Sequence, residues 1–157
     1  MKVAITASDA FVAPYIIDAL GDAAVVIPDE VLEDSMTLDV MLTPCNALIH
    51  INSRPVDTSV ARNDREVKVM MREAARPVLD AVNRHGELHM IIVGTLRVHP
   101  PWSPGDDYYG PESSLSPRDT AAEGQLWIEE SALERAESGR PVSVIRASNV
   151  QGVPLEG

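Results

Sequence analysis

A single cysteine, Cys45, leaves nothing for an intrachain disulfide to form with, which suits a chain kept in a reducing compartment. Lysine is almost as scarce: Lys2 and Lys68 are the only two. The 13 Lys and Arg residues face 24 Asp and Glu, for a formal net charge of −11. That excess repels phosphate backbones and anionic lipids, so neither nucleic acid nor a membrane surface is expected as a partner. No apolar run approaches the roughly 18 residues of a membrane span. The first residues, "MKVAITASDA", lack the long apolar stretch of a secretory signal. A cytoplasmic location is expected. His50, His85, His89 and His99 stand at no metal-ligand spacing with one another or with Cys45, so no metal is expected. Repeats and low-complexity tracts are absent.

What is present is a chain of 157 residues, 45% hydrophobic, enough to fold around a core. Short apolar runs at Val3–Thr6, Ala24–Ile27, Ala47–Ile51, Met90–Val93 and Val142–Arg146 have the continuous character of strands buried on both faces of a parallel sheet. Helical stretches lie between them. Pro14–Leu20 has proline in its first turn and Gly21 as a stop. Asp34 can N-cap Ser35–Leu42. A longer helix spans about Asn63–Asn83, with Pro77 expected to kink or break it. A fourth spans about Ala121–Glu137, with Thr120 and Glu123 spaced as a capping box and Gly139 as a stop. Strands alternating with helices predict an α/β fold with right-handed crossovers. The stretch Pro100–Pro117 has no periodicity. It reads either as a floppy surface loop or, through Trp102, Tyr108 and Tyr109, as a contact segment.

Five segments carry a family resemblance. "KVAITASDAFVA" (Lys2–Ala13) is similar to a first strand followed by a T-G-x-x-G-x-x-G turn. "DSMTLDVMLTPCNALIHI" (Asp34–Ile51) resembles a short helix leading into the fourth strand. "REAARPVLDAV" (Arg72–Val82) resembles a helix reading G-T-x-N-L-L-x-A-A, and "MIIVGTLRVH" (Met90–His99) a strand bearing V-S-S-x-x-V-Y-G. "PVSVIRASNVQG" (Pro141–Gly152) is similar to P-V-x-I-x-R-x-x-N-V-Y-G. In this order they resemble the nucleotide-binding part of the extended short-chain dehydrogenase/reductase family, the NAD-dependent sugar epimerases and dehydratases. The resemblance implies a Rossmann-like three-layer α/β sandwich. Where the family has a helix and a third strand after the second, only a few residues remain here. The expected strand order therefore shrinks from 3-2-1-4-5-6 to 2-1-4-5-6. The chain ends five residues after Gly152, where family members continue into a substrate-binding region. The expectation is one reduced domain over residues 1–157 without that region.

The resemblance also says which residues to inspect. Thr6 is followed by Ala7, Ala10 and Ala13 at the three glycine positions. The first glycine serves the tight turn, the second the approach of the pyrophosphate, the third helix packing. A methyl at the second position stands where a phosphate would lie, and at the first it costs roughly 1–2 kcal/mol if positive φ is needed. Asp9 adds negative charge. Ala7, Asp9, Ala10, Phe11 and Val12 are thus either a vestigial cofactor turn or an ordinary strand–helix turn. Asp29 stands near the family's ribose-binding acid and reads equally well as a surface acid. Thr95, four residues before His99, matches the family's catalytic Ser/Thr, and also reads as a strand-end hydroxyl bonded to backbone. The Tyr-x-x-x-Lys dyad is missing: Ala19, Glu112 and Ser113 stand four residues after Tyr15, Tyr108 and Tyr109. At the start of the last helix, Arg118 and Ala122 are one candidate pairing in its place.

Two functional expectations follow. One is a degenerate family member without redox activity, with no cofactor, serving as a partner subunit or a binding or scaffold domain. It would form a homodimer or heteromer through helices 63–83 and 121–137, whose faces carry Val67, Met70, Met71 and Ala74, then Leu126, Trp127 and Ile128. The other is a residual or repurposed enzyme acting on a small molecule. It would use NAD or NADP, as the resemblance allows, or work without cofactor as an isomerase, lyase or cyclase. Thr95 and His99 would then be catalytic, with Arg118, Asp119 and a loop tyrosine converging on them.

Overall fold

Each of the five apolar runs supplies one strand of a single parallel sheet. The computed structural model describes residues 1–6, 10, 12–51, 63–101, 109–110 and 112–147. In chain order the elements are β1 (Val3–Thr6), α1 (Ala13–Leu20), β2 (Ala24–Val26), α2 (Ser35–Leu42), β3 (Ala47–Ile51), α3 (Asp64–Arg84), β4 (His89–Thr95), α4 (Thr120–Glu137) and β5 (Val142–Ala147). Strand order is β2-β1-β3-β4-β5, all parallel. This is the α/β Rossmann-like architecture and the shortened order that the sequence predicts. Between β2 and α2 lies only a 3-10 turn, Asp29–Val31.

Alternation along the strands splits the core into two layers. Ala4, Leu48, Met90 and Ile92 face α2, α3 and α4, where Leu38, Leu42, Val78, Val82, Ile128 and Ala132 meet them. Ile5 and Ile51 face the other way, onto Ala13, Ile16 and Ile17 of α1. Among the described residues α1 is the only helix on that side, and Ile145 of the edge strand β5 is 54% exposed.

Helix ends follow their chemistry with two corrections. Asp34 caps α2 by accepting from the amides of Met36 and Thr37, and Gly21 (φ +50°) and Gly139 (φ +78°) stop α1 and α4 in backbone conformations that side chains disfavour. The cap of α4, however, is Asp119, whose Oδ1 accepts from Ala122 N at 2.9 Å. Thr120 is the first helical residue, so the expected Thr120–Glu123 box is displaced by one position. Burial alone would raise the Asp119 pKa, but the Ala122 amide and the Arg97 guanidinium outweigh it and lower the pKa. Second, α3 neither ends nor breaks at Pro77 but runs on to Arg84. Proline removes one backbone bond there, at a cost of about 3 kcal/mol. The apolar residues on both sides of it, Ala75, Val78, Leu79, Ala81 and Val82, are all buried against the sheet and α4, and that packing holds the helix together.

Where α3 ends, backbone amides meet some of its last carbonyls, His85 N on Val82 O (3.2 Å) and Leu88 N on His85 O (3.1 Å). Arg135 of α4, 5% exposed, supplies further donors. Its guanidinium reaches Val82 O, His85 O (2.9 Å) and Leu88 O (2.7 Å), placing a cation at the negative end of the helix dipole. Removing it takes a charged donor from three carbonyls at once, Leu88 O among them, and leaves a gap between α4 and the end of α3. Arg135→Ala is predicted to lower stability by about 3–5 kcal/mol, read as a shift of the urea midpoint. A loss under about 1 kcal/mol, the size of a surface change, would show that water replaces the guanidinium.

Candidate functional site

Open parallel sheets bind ligands at the carboxyl ends of their strands, where the strand order reverses. Here the reversal lies between β1 and β3, at Thr6 and His50, which are register partners. Their side chains meet in the interior, Thr6 Oγ1 to His50 Nδ1 at 2.8 Å. His50 Nε2 has no partner among the described residues. Burial pushes the His50 pKa down to about 4, because a buried imidazolium would lose its hydration.

The turn that follows β1 is packed as core where it is described. Ala10 is 8% exposed and lies in the α1-side cluster with Ile5, Ala13 and Ile51, with Val12 against it. The Ala10 carbonyl accepts from Ala13 N at 2.8 Å. Ala7, Asp9 and Phe11 lie outside the described residues. Asp29 sits in the 3-10 turn after β2, three strands from β4, or about 14 Å across the sheet. Asp29 thus lies on the same carboxyl edge of the parallel sheet as Thr95, three strands away.

Thr95 ends β4, as expected, and its hydroxyl accepts from Arg97 N at 3.2 Å, capping the 3-10 turn Leu96–Val98. That turn carries His99 back into the interior, where it is 2% exposed. Its Nδ1 lies 3.0 Å from Ser114 O. A carbonyl only accepts, so Nδ1 carries the proton. Nε2 is left as an acceptor facing Arg146 Nη1 at 3.4 Å. Tyr109 stacks on the ring, with centroids 4.6 Å apart and planes 11° apart. Arg118 donates to His99 O (3.0 Å) and Pro100 O (2.9 Å), and the Tyr109 hydroxyl donates to the same Pro100 oxygen. Arg118 and Tyr109 contact His99 or its neighbour Pro100, whereas Asp119 pairs with Arg97 and Ala122. These contacts bond backbone, cap α4 and cover a ring.

Behind His99 stands a group that the motifs did not single out. Glu129 of α4 is fully buried. Its Oε2 accepts from Arg146 Nε of β5 at 2.8 Å and its Oε1 from Gln125 Nε2 at 3.1 Å. The signal was in the sequence: Ala122, Gln125, Glu129 and Ala132 fall three, four and three apart, on one helical face. Two polar residues in a stripe that otherwise packs on a sheet imply a buried partner, but the partner's place on β5 follows only from the crossover. Gly94 of β4 completes the arrangement, since a Cβ there would overlap Glu129 Oε1. The nearest lysine to this end, Lys68 of α3, is held in an ion pair with Glu123 of α4. Lys2 bonds the Asp22 carbonyl at the other end of the sheet.

This architecture recurs in solved structures. A dTDP-glucose 4,6-dehydratase from Bacillus anthracis in complex with NAD superposes with a TM-score of 0.75 at 12% identity, over 98% of this chain and 56% of that one. A short-chain dehydrogenase/reductase superfamily protein from Agrobacterium tumefaciens with bound NAD gives 0.73 at 20% identity, over 93% and 48%. The UDP-glucose 4-epimerase of Thermus thermophilus in complex with NAD gives 0.68 at 16%, over 93% and 54%. The fold is therefore that of the extended short-chain dehydrogenases/reductases, and this chain spans about half the length of each of these proteins. No family model and no curated protein matches the sequence. No described helix is long and apolar enough to cross a membrane.

The Thr6–His50 pair generates a pH dependence. The folded pKa of about 4 lies below the ordinary 6.5, so between these values the unfolded chain binds the proton and the folded chain does not. Stability is complete above pH 6.5 and falls as the pH drops towards 4, by about 3 kcal/mol over the window. Urea titrations from pH 7 to 4 should show this slope flattened by His50→Gln. An equally steep slope in the variant would locate the proton elsewhere.

Proposed function

We infer that this chain is a degenerate dehydrogenase-like domain without redox chemistry, working as a partner subunit or binding domain. The observation that carries this reading is the commitment of the strand-end groups. Thr95 caps a turn, and His99 is buried with both ring nitrogens facing protein groups and an aromatic ring over it. A general base must reach a substrate proton within hydrogen-bond distance, and both ring nitrogens of His99 face protein groups. A proton taken up on its Nε2 would point at the Arg146 guanidinium. The cofactor turn supports the same reading: Ala10 puts a methyl at a position where the backbone must lie bare against a pyrophosphate, and that residue is packed into the core. The methyl of Ala10 argues against a dinucleotide at this turn.

The partner surface proposed is the outer face of α3 and α4. Trp127 lies half-buried under the Arg72 guanidinium, 5.0 Å from the ring centroid. Val69 and Leu133 are 43% and 41% exposed. Ile128, expected on this face from the sequence, is fully buried against the sheet and takes no part in it. Gly124 lets α4 close onto Met71 of α3, since a Cβ there would meet the Met71 sulfur.

Two measurements test the reading. Calorimetric titration with NAD, NADH, NADP and NADPH is expected to give no saturable heat up to about 1 mM, an affinity of about 4 kcal/mol. Micromolar binding of any of the four would overturn the loss of cofactor function. Sedimentation velocity is expected to show a dimer that Val69→Asp with Leu133→Asp converts to monomer without loss of helicity. A wild-type chain that sediments alone as a monomer, and stays so when mixed with a short-chain dehydrogenase expressed from the same operon, would overturn the partner role.

A further inference from the structure

The guanidinium of Arg146 has more donors than the protein uses. Its Nε is taken by Glu129 and its Nη1 faces His99 Nε2 at 3.4 Å, and no other acceptor lies on it among the described residues. One edge of the planar group, formed by the outer hydrogens of Nη1 and Nη2, therefore remains unused. Arg146 also lines a cavity of about 330 Å³ at the carboxyl ends of β4 and β5. The other walls are Leu96, Val144, Gly110, His99 and the Tyr109 ring stacked on it. Apolar walls with one convergent charged group are the usual makeup of a small-molecule site, and the volume lies in the range such sites occupy.

We propose that this cavity binds a small monocarboxylate, its carboxylate paired end-on with Arg146 and its apolar body between Tyr109, Leu96 and Val144. A guanidinium edge matches the two oxygens of a carboxylate. One negative charge is what the site tolerates. Glu129 already balances Arg146, and Asp119 balances Arg97. Among the described residues, the guanidinium nearby without a carboxylate partner is Arg118, which bonds only carbonyls. Among the described residues the local excess is thus a single positive charge, in a chain of net −11, so a phosphate dianion would leave negative charge uncompensated in a partly dry site. At about 30 Å³ per heavy atom the cavity holds roughly ten such atoms, the size of an aromatic or short branched acid. His99 is a wall and a spacer for Arg146 here, not a reacting group. The proposal does not depend on the partner role inferred above, since a chain that bound NAD could carry the same cavity.

Benzoate is the probe, with benzamide as its uncharged match. In the full chain, benzoate is expected to shift the Arg146 Nε–H cross-peak in a saturable way at millimolar concentration, with benzamide about tenfold weaker or worse. Glu129→Gln combined with Arg146→Gln removes both buried charges together, so neither is left unpaired, and should weaken benzoate by about tenfold or more. Tyr109→Ala removes the wall without touching the ion pair and should weaken benzoate severalfold, which keeps a second readout should the double variant fail to fold. An Arg146 cross-peak unmoved by about 20 mM benzoate, benzamide binding within about threefold of benzoate, or undiminished binding by a folded double variant would each overturn the proposal. None of these outcomes bears on whether the chain binds NAD or dimerises, which the titrations above decide separately.

Discussion

Glu129 is a carboxylate with no access to water, and the strand-end region is arranged around that fact. Taking such a group out of water costs several kcal/mol unless a cation and further donors meet it with good geometry. Arg146 and Gln125 meet it here, and each requirement fixes something else. Arg146 must come from β5, so β5 must lie beside β4 with α4 across both. Position 94 must be glycine, because the carboxylate rests on the β4 backbone. With its Nε held by Glu129, the guanidinium presents its remaining edges to His99 and to the cavity beyond. The buried pair adds little net stability by comparison with a well-packed apolar pair, but removing one member would leave the other charged and alone.

A second buried cation performs a different task at the other end of the same helix. Arg135 meets only carbonyls, those at the end of α3 and in the turn to β4. The two arginines and Glu129 make α4 the element through which α3, β4 and β5 are held in register. With α4 fixed in this way, α3 can run through Pro77 without breaking. The lost backbone bond is one local term, whereas the buried stripe on both sides of it is held by the whole layer.

The loss of redox chemistry inferred here is consistent across levels. A turn without glycine, a final helix without a Tyr–Lys dyad, and a threonine and histidine taken up by backbone and ring contacts all point the same way. The opposite reading would require the strand-end groups to be released from the contacts that now hold them. Agreement of this kind between local sequence choices and the packed structure is what distinguishes a settled structural role from an isolated motif loss.

The sequence by itself determined the strands, the helices to within a residue or two, the strand order, and the caps at Asp34, Gly21 and Gly139. The strand order rests on the family resemblance; the rest depends on short-range rules: apolar runs for buried strands, side-chain oxygens for helix starts, glycine for positive φ. It also named Thr95 and His99 as the residues to examine and showed that a Tyr–Lys pair was missing. Tertiary structure alone decided what surrounds those residues. Whether a histidine is a base or a filler depends on what lies against each ring nitrogen. For His99 those neighbours are Ser114 and Arg146, 15 and 47 residues away. The same holds for Pro77, read from local geometry as a kink or break and kept within one helix by burial, and for Ile128, read as an interface residue and buried against the sheet. Asp119 rather than Thr120 caps α4 because the carboxylate also meets Arg97, which the chain brings to it from 22 residues away. Periodicity specifies which face of an element is apolar, but contacts between distant segments exist only once the crossovers have placed them.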